Sequence, residues 1–363
     1  MRLPVFIAIA ILGTVALATE PAAQSPPRFS VDPGWPKPLA DNQILGQVAG
    51  VATDARDNVW IIQRPGSLLA DEKGALNNPP QNRCCKAAPP VIQFDRSGKV
   101  LRSWGGPGQG YDWPKAEHGI HIDAAGNVWI AGNNKEDNQI LKFTSEGKFL
   151  LQIGKPGQSK GSNDATQLGQ PAHMVTDDKA GELYVADGYT NRRIIVFDMK
   201  TGGYKRHWGA YGEKPVDDPL PKYDPKSVLS RSFGSAVHCV RLSSDGLVYV
   251  CDRVNNRIQV FKKDGTYVKE FRVSPQTLGN GAVWDLVLSS DRQQRHIFVA
   301  DGENAEIISL SRETGEVLSS FGQPGRMAGQ FKWVHNIAID TRGTIYTAEV
   351  GTGRRAQRFV RIR

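Results

Sequence analysis

Apolar and polar positions alternate in short runs along most of this chain, and the runs recur in a fixed order. The order is clearest from Val237 to Phe261, VHCVRLSSDGLVYVCDRVNNRIQVF, where a histidine opens an alternating run and a Ser-Asp-Gly turn interrupts it. A second run ends in Asp-Arg, and Asn-Asn leads into a third that closes on an aromatic residue. Period-two alternation bounded by turn residues predicts strands, three of them in this unit. Similar units begin at Val48, Glu117, Ala172, Trp284 and Val334, which makes six copies. A further strand-like run usually precedes the next copy, as at Val100 to Gly105, Phe149 to Gly154 and Tyr267 to Phe271. Four strands per repeat and six repeats predict an all-β chain folded as a six-bladed β-propeller.

The 363 residues suffice for one such disc, and no linker divides them into two folded domains. The opening MRLPVFIAIAILGTVALATEPAAQS has one basic residue, a long apolar run and small residues suited to cleavage at Ala18 or Ala23. It reads as an export signal over residues 1–23, followed by a single propeller domain over 24–363 with an insertion at 65–90. A periplasmic or secreted protein follows, with no stable membrane insertion once the signal is cleaved. Pro26 to Leu39 is proline-rich and extended, with Phe29, Val31 and Trp35 as anchors, and is expected to pair outside the last copy. The Pro- and Asn-rich insertion should be a surface loop that roofs one face of the disc.

The formal net charge of +8 comes without a long basic run or a nucleic-acid-binding module, so nucleic acid is not an expected partner. A small molecule or peptide bearing a carboxylate fits the balance better. Of the four cysteines, Cys84 and Cys85 are adjacent in the insertion. Cys239 and Cys251 fall on neighbouring strands, but a register that sets His238 opposite Cys251 leaves Cys239 opposite Val250, facing away. Disulfide pairing therefore stays open.

His118, His173, His238 and His335 share the second position of their units, where the first and fifth copies have Ala49 and Asp285. First strands line the channel of a propeller, so these positions converge on its axis. Three imidazoles there can serve as the protein ligands of a catalytic metal, leaving a position for water or substrate. The alternative is that the repeat keeps histidine to hydrogen-bond a backbone at the strand start. Arg64 and Arg253 each end a second-strand run at the same end of the blades, where a guanidinium can hold a carboxylate bidentately. Arg253 could instead pair with Asp252. Tyr189 lies at nearly the same repeat position and is a candidate base.

The copies look like NHL repeats. The ordered set IIQR at 61–64, EHGIHID at 117–123, DGYTNRRI at 187–194, VHCV with CDRVNNRIQVF at 237–261, and VHNIAID at 334–340 resembles the peptidyl-α-hydroxyglycine α-amidating lyase family. The resemblance implies a six-bladed propeller that uses zinc to cleave a carbinolamide into an amide and glyoxylate. It assigns His118, His238 and His335 as zinc ligands, Tyr189 as base, and Arg64 and Arg253 as active-site arginines. It also implies a structural calcium held partly by the backbone carbonyls of Val51 and Ile120. His173 is outside the family's ligand set and becomes a channel residue, and Asp285 joins it among the residues near the pocket. Where the family has Met-Pro-His-Asp, this chain has Trp333-Val334-His335-Asn336, which puts an indole near the site and a neutral amide in place of a calcium-binding carboxylate. The resemblance spans about residues 44–363 and leaves hydroxylation of the substrate to a separate enzyme. Two rival readings are a periplasmic metal-dependent lyase or hydrolase for another small hydroxylated substrate, and a non-enzymatic propeller that binds or scaffolds a partner.

Overall fold

The computed structural model describes residues 26–362. The expected signal segment lies outside these residues. Six four-stranded antiparallel sheets surround a central axis, each with its first strand innermost. The innermost strands are Gln47–Thr53, Glu117–Ile122, Pro171–Asp177, Val237–Leu242, Asp285–Leu288 and Val334–Ile339, in blades 1 to 6. No helix among the described residues is long and apolar enough to cross a membrane.

Neither face of such a sheet meets water, which explains the burial on both sides of the second strands. The core is accordingly six large clusters, each shared by neighbouring blades, and a small seventh of Ala49, Trp284 and Val350. Trp60, Trp129, Tyr184, Tyr249, Phe298 and Tyr346 occupy one repeated position of the second strands, and all are buried. Where such a ring has a polar tip, the hairpin turn of its own blade often supplies the partner: Trp60 Nε1 donates to Asp54 and Trp129 Nε1 to Asp123. Each ring thereby buries on the order of 2–3 kcal/mol of apolar surface without stranding its polar atom.

The sixth blade takes strands from both ends of the chain. Arg28–Val31 pairs with Arg355–Ile362, Arg28 opposite Ile362 and Val31 opposite Phe359. Phe29 packs edge-on against Phe298 and tilted against Phe321 of blade 5, and Trp35 packs on Phe94 and Tyr346. The N-terminal segment therefore closes the ring as its apolar residues predict. The insertion adds two short 3₁₀ turns, and its Lys86–Ala87 pairs in parallel with Gln43–Ile44. Glu72 in this insertion forms an ion pair with Arg354, which ties it to the loop of blade 6 on the same face as Arg64.

A β-bulge interrupts the innermost strand near its start in five blades. It falls between Val48 and Gly50, Glu117 and Ile120, Pro171 and His173, Val237 and Cys239, and Val334 and Asn336. A bulge sets two residues against one and re-aims a side chain that regular alternation would send into the blade. The bulge also corrects the cysteine register: because His238 occupies the extra position, Cys239 is directly opposite Cys251, and the two form a disulfide with a Cα separation of 4.8 Å. Cys84 and Cys85 are paired with each other.

Candidate metal centre

Aligned by strand pairing, the bulge position reads Ala49, His118, Ala172, His238, Trp284 and His335 around the ring. Histidine thus comes from alternate blades, 2, 4 and 6, and the blades between them supply something else. His118 Nδ1 donates to the carbonyl of Ala172 at 2.8 Å, and His335 Nδ1 to that of Ala49 at 2.6 Å. His238 Nδ1 donates to the carbonyl of Trp284. A carbonyl only accepts, so each ring carries its proton on Nδ1 and turns the Nε2 lone pair toward the axis. The backbone-anchoring role and the ligand role are therefore served by different nitrogens of the same rings.

The three rings pack edge to face, with centroids 5.1, 4.6 and 4.9 Å apart. One nitrogen from each lies within 4.8 Å of the others. Burial, followed by the neighbouring imidazoles and arginines, pushes His118 and His238 well below the usual imidazole range; burial, followed by Arg64, pushes His335 down to about 3. All three are neutral, the form that binds a metal. Gly119 is required here: a Cβ on it would lie 2.6 Å from the Ala172 carbonyl that receives His118.

Tyr189 reaches the same point, its hydroxyl 2.9 Å from His118 Nε2 and 3.0 Å from His238 Nε2. One hydroxyl proton cannot satisfy two lone pairs, so the cluster holds more acceptors than donors, as a cation site does. The donor set of three neutral imidazoles with an adjacent oxygen fits zinc in a site that keeps an open position.

Both arginines border this cluster and neither takes part in an ion pair among the described residues. Arg253 Nη1 donates to the Tyr189 hydroxyl at 3.4 Å, its guanidinium lies 4.7 Å over the Trp284 ring, and its Nε is buried without a partner. Asp252 is taken by Arg257, with Nε 2.7 Å from the carboxylate, so the pairing of Arg253 with Asp252 does not form. Arg64 is held only by neutral acceptors, the Glu117 carbonyl at 2.7 Å, Gln47 Oε1 at 2.9 Å and Asn133 Oδ1 at 3.0 Å. Two buried or half-buried guanidinium groups outside any described ion pair, beside this cluster, are the feature that an anion-binding site requires.

Two expected site residues are placed elsewhere. His173 pairs opposite Ala186, as Cys239 does opposite Cys251, so the bulge residue of blade 3 is Ala172 and His173 points away from the histidine cluster. The turn DDKAGE in blade 3 does the work of SSDGL in blade 4 with one residue more, which hides the offset when residues are counted along the chain. His173 is buried, and its ring nitrogens make no hydrogen bond of ordinary geometry. No register shift interrupts the described pairing of blade 5, but Asp285 lies opposite Ala300 as His173 lies opposite Ala186, so the residue equivalent to the bulge is Trp284 and not Asp285; its ring packs on His238 and His335 at 5.8 and 5.7 Å. Trp284 is the site residue that counting missed, and strand pairing is the signal that reveals it. Trp333, about one-third exposed, stacks on Trp284 at 5.6 Å.

Asp285 instead belongs to the next layer of the channel. Its carboxylate accepts from Arg241 Nη2 at 2.6 Å, from the Ile337 N–H at 3.0 Å and from Asn336 Nδ2. Asn336 Oδ1 accepts from the Val51 N–H at 2.7 Å, and Arg241 Nη2 also donates to the Ile337 carbonyl at 3.0 Å. Calcium takes six to eight oxygens facing one point. The Asp285 carboxylate and Asn336 Oδ1 are turned to internal donors, and the Arg241 guanidinium already supplies positive charge beside them, so these side chains do not fit a calcium ion.

The NHL repeat family matches residues 237–261. The chain is 27% identical over 88% of its length to peptidyl-glycine alpha-amidating monooxygenase B of Xenopus laevis, and spans 34% of that protein. It is 27% identical over 87% of its length to peptidyl-alpha-hydroxyglycine alpha-amidating lyase 1 of Drosophila melanogaster, 57% of which it covers. It is also 25% identical over 92% of its length to NHL repeat-containing protein 3 of Mus musculus, 84% of which it covers. A solved streptogramin B lyase structure superposes with a TM-score of 0.54 at 12% identity, covering 92% of this chain and 98% of that one, and bears on the fold alone.

Proposed function

We propose that this NHL-repeat propeller is a zinc-dependent carbon–nitrogen lyase that cleaves a carbinolamide carrying a carboxylate, giving an amide and glyoxylate. The observation that carries this reading is the convergence of three Nε2 lone pairs and one phenol oxygen between two guanidinium groups that have no carboxylate of their own. His118, His238 and His335 would hold the zinc, which supplies Lewis acidity toward the substrate's hydroxyl oxygen. In this reading Tyr189 takes the hydroxyl proton, with Arg253 donating to its phenol oxygen at 3.4 Å. As the carbonyl forms and the C–N bond breaks, the electron pair leaves with the amide nitrogen, and the proton held by Tyr189 is returned to that nitrogen. The reaction is thus a proton relocation from oxygen to nitrogen with no external reactant. Arg64, fixed by three neutral acceptors, binds the carboxylate without moving.

Export through the segment at residues 1–23 to the periplasm or medium belongs to this proposal, and the Cys239–Cys251 disulfide supports an oxidising compartment. The hydroxylated substrate would come from a separate enzyme. Because NHL repeat-containing protein 3 matches at the same level as the named lyases, repeat similarity does not separate catalysis from binding. The deciding experiment is incubation of the zinc-loaded protein with N-benzoyl-α-hydroxyglycine. Equimolar benzamide and glyoxylate, formed faster than in buffer, is the expected result; zinc bound at unit stoichiometry without turnover would point to a different hydroxylated substrate, and no zinc to a binding propeller.

A further inference from the structure

Two consecutive residues where the innermost strand of blade 5 begins serve two arginines of blade 4 in opposite ways. Asp285 gives Arg241 a carboxylate, whose oxygen lies 2.6 Å from Nη2. Trp284 gives Arg253 only the face of an indole, with the guanidinium carbon 4.7 Å from the ring centroid. The Tyr189 ring lies 5.5 Å from the same carbon. A ring face attracts positive charge through its quadrupole but carries no net charge, so it steadies a cation without neutralising it. The N–H donors of a guanidinium lie in its own plane, and a ring over the face leaves them free. Arg253 fits that description, since its Nε has no partner and its Nη1 makes one long contact, 3.4 Å to the Tyr189 hydroxyl.

The indole is itself held from several sides. It is buried against Ala49 and Val350, its Nε1 donates to the Gly281 carbonyl at 2.7 Å, and its own carbonyl accepts from His238 Nδ1. Gly281 has a φ of +77°, and a Cβ there would collide with the Arg253 carbonyl, so the turn that anchors the indole is pressed against the backbone of the arginine it serves. The same ring packs on His238 and His335, which fixes the arginine relative to the histidine cluster. We infer that Trp284 is a positioning residue: its ring holds Arg253 beside the cluster with the guanidinium donors open to the carboxylate of the substrate. A ring face at residue 284 makes Arg253 an arginine for a ligand, as an acid at residue 285 makes Arg241 an arginine for the fold. The inference rests on the lyase reading above for the identity of the substrate, while the carboxylate contact is measurable without turnover.

The test uses N-benzoylglycine and its carboxamide, N-benzoylglycinamide, which lack the hydroxyl and cannot be cleaved. Both are titrated by calorimetry into the zinc-loaded native protein and its variants, and the ratio of the two affinities is the readout, since a general loosening of the site cancels in it. Arg253→Met should lower the preference for the carboxylate by about tenfold. Trp284→Leu should lower it by about threefold or more, and Trp284→Phe, which keeps an aromatic face, by less. The double variant Arg253→Met/Trp284→Leu should lose no more than Arg253→Met alone, as expected of two groups that act as one. Zinc content should stay at the native level throughout. A second readout needs no aliphatic variant: N-benzoylglycine should shift the indole emission of the native protein, and Trp284→Phe should remove that shift. An unchanged preference in Arg253→Met or in Trp284→Leu, losses that add in the double variant, zinc lost from both Trp284 variants, or an emission shift that is absent from the native protein or persists in Trp284→Phe overturns the inference. N-benzoyl-α-hydroxyglycine is assayed in parallel: coupled residues without cleavage reject the lyase reading and keep the role of Trp284, whereas cleavage with uncoupled residues does the reverse.

Discussion

Two layers of the central channel are built from the innermost strands of the blades, yet their chemistry is opposite. In the upper layer His118, His238 and His335 spend one nitrogen on a neighbouring blade and leave the other facing the axis, beside two guanidinium groups outside any described ion pair. In the layer beneath, Arg241, Asp285 and Asn336 consume one another and the backbone of blades 6 and 1. Both layers are buried and both are polar. What separates a candidate site from a structural network is therefore whether the donors and acceptors balance. The upper layer is in excess of lone pairs on the axis and of positive charge at its edge, a combination that a metal and a carboxylate-bearing ligand would resolve together.

The sharpest way to break this comparison is to remove one member of each layer. His238→Ala should abolish stoichiometric zinc in elemental analysis and lower turnover by about 10³-fold or more, with the circular dichroism of the propeller retained; undiminished zinc content would remove His238 from the site. Arg241→Met should do the reverse. It leaves the Asp285 carboxylate buried without its cation and should cost about 3–5 kcal/mol in denaturant unfolding, while zinc stays bound. Adding calcium or a calcium-selective chelator should leave the native melting temperature in place, and a calcium-dependent rise would show that the lower layer does not supply its own cation.

A smaller effect sharpens the charge imbalance. Arg253→Met should weaken kcat/KM by about ten to a hundredfold for a carboxylate substrate, and by much less for the corresponding carboxamide. Equal losses for both would assign Arg253 to the tyrosine alone. The smallest effect, taken per group and per pH unit, is in acid. Burial, aided by Arg241, pushes His121 down to about 4, and His173 is pushed well down by burial and the same arginine. An unfolded imidazole titrates near 6.5, so below that value the unfolded chain binds more protons than the folded one and stability falls as pH drops. Between about 6.5 and 4 each such group should remove about 1.4 kcal/mol per pH unit, and the zinc-free protein should lose more, as the three ligands join them. A melting temperature that is flat from pH 7 to 5 would contradict the burial of these rings.

Most of the fold was legible because a propeller repeats itself: the turn chemistry and the aromatic of the second strand recur six times, and a recurring pattern averages out local noise. Phe29 and Trp35 were legible as anchors since a closing strand needs apolar contacts that a free tail does not. The site was legible only in part. His118, His238 and His335 stand out by type, but counting along the chain also admitted His173 and chose Asp285 over Trp284. A bulge adds a residue without changing composition, and the hairpin turns differ in length between blades, so spacing alone cannot tell which of two neighbours faces the axis. The same one-residue shift brought Cys239 opposite Cys251, against the expectation from unbroken alternation. Arg241 carried no signal at all, because its role exists only across blades.

The seam in the sixth blade makes one of the three histidines depend on distant parts of the sequence. His335 sits on a blade whose outer strand, Arg28–Val31, is paired with a third strand, Arg355–Ile362, from the far end of the described residues. His118 and His238 lie on blades whose four strands follow one another in sequence. The geometry of the histidine cluster is therefore complete only when the ring has closed, and loosening the Arg28–Val31 strand should disturb one corner of the cluster before the other two.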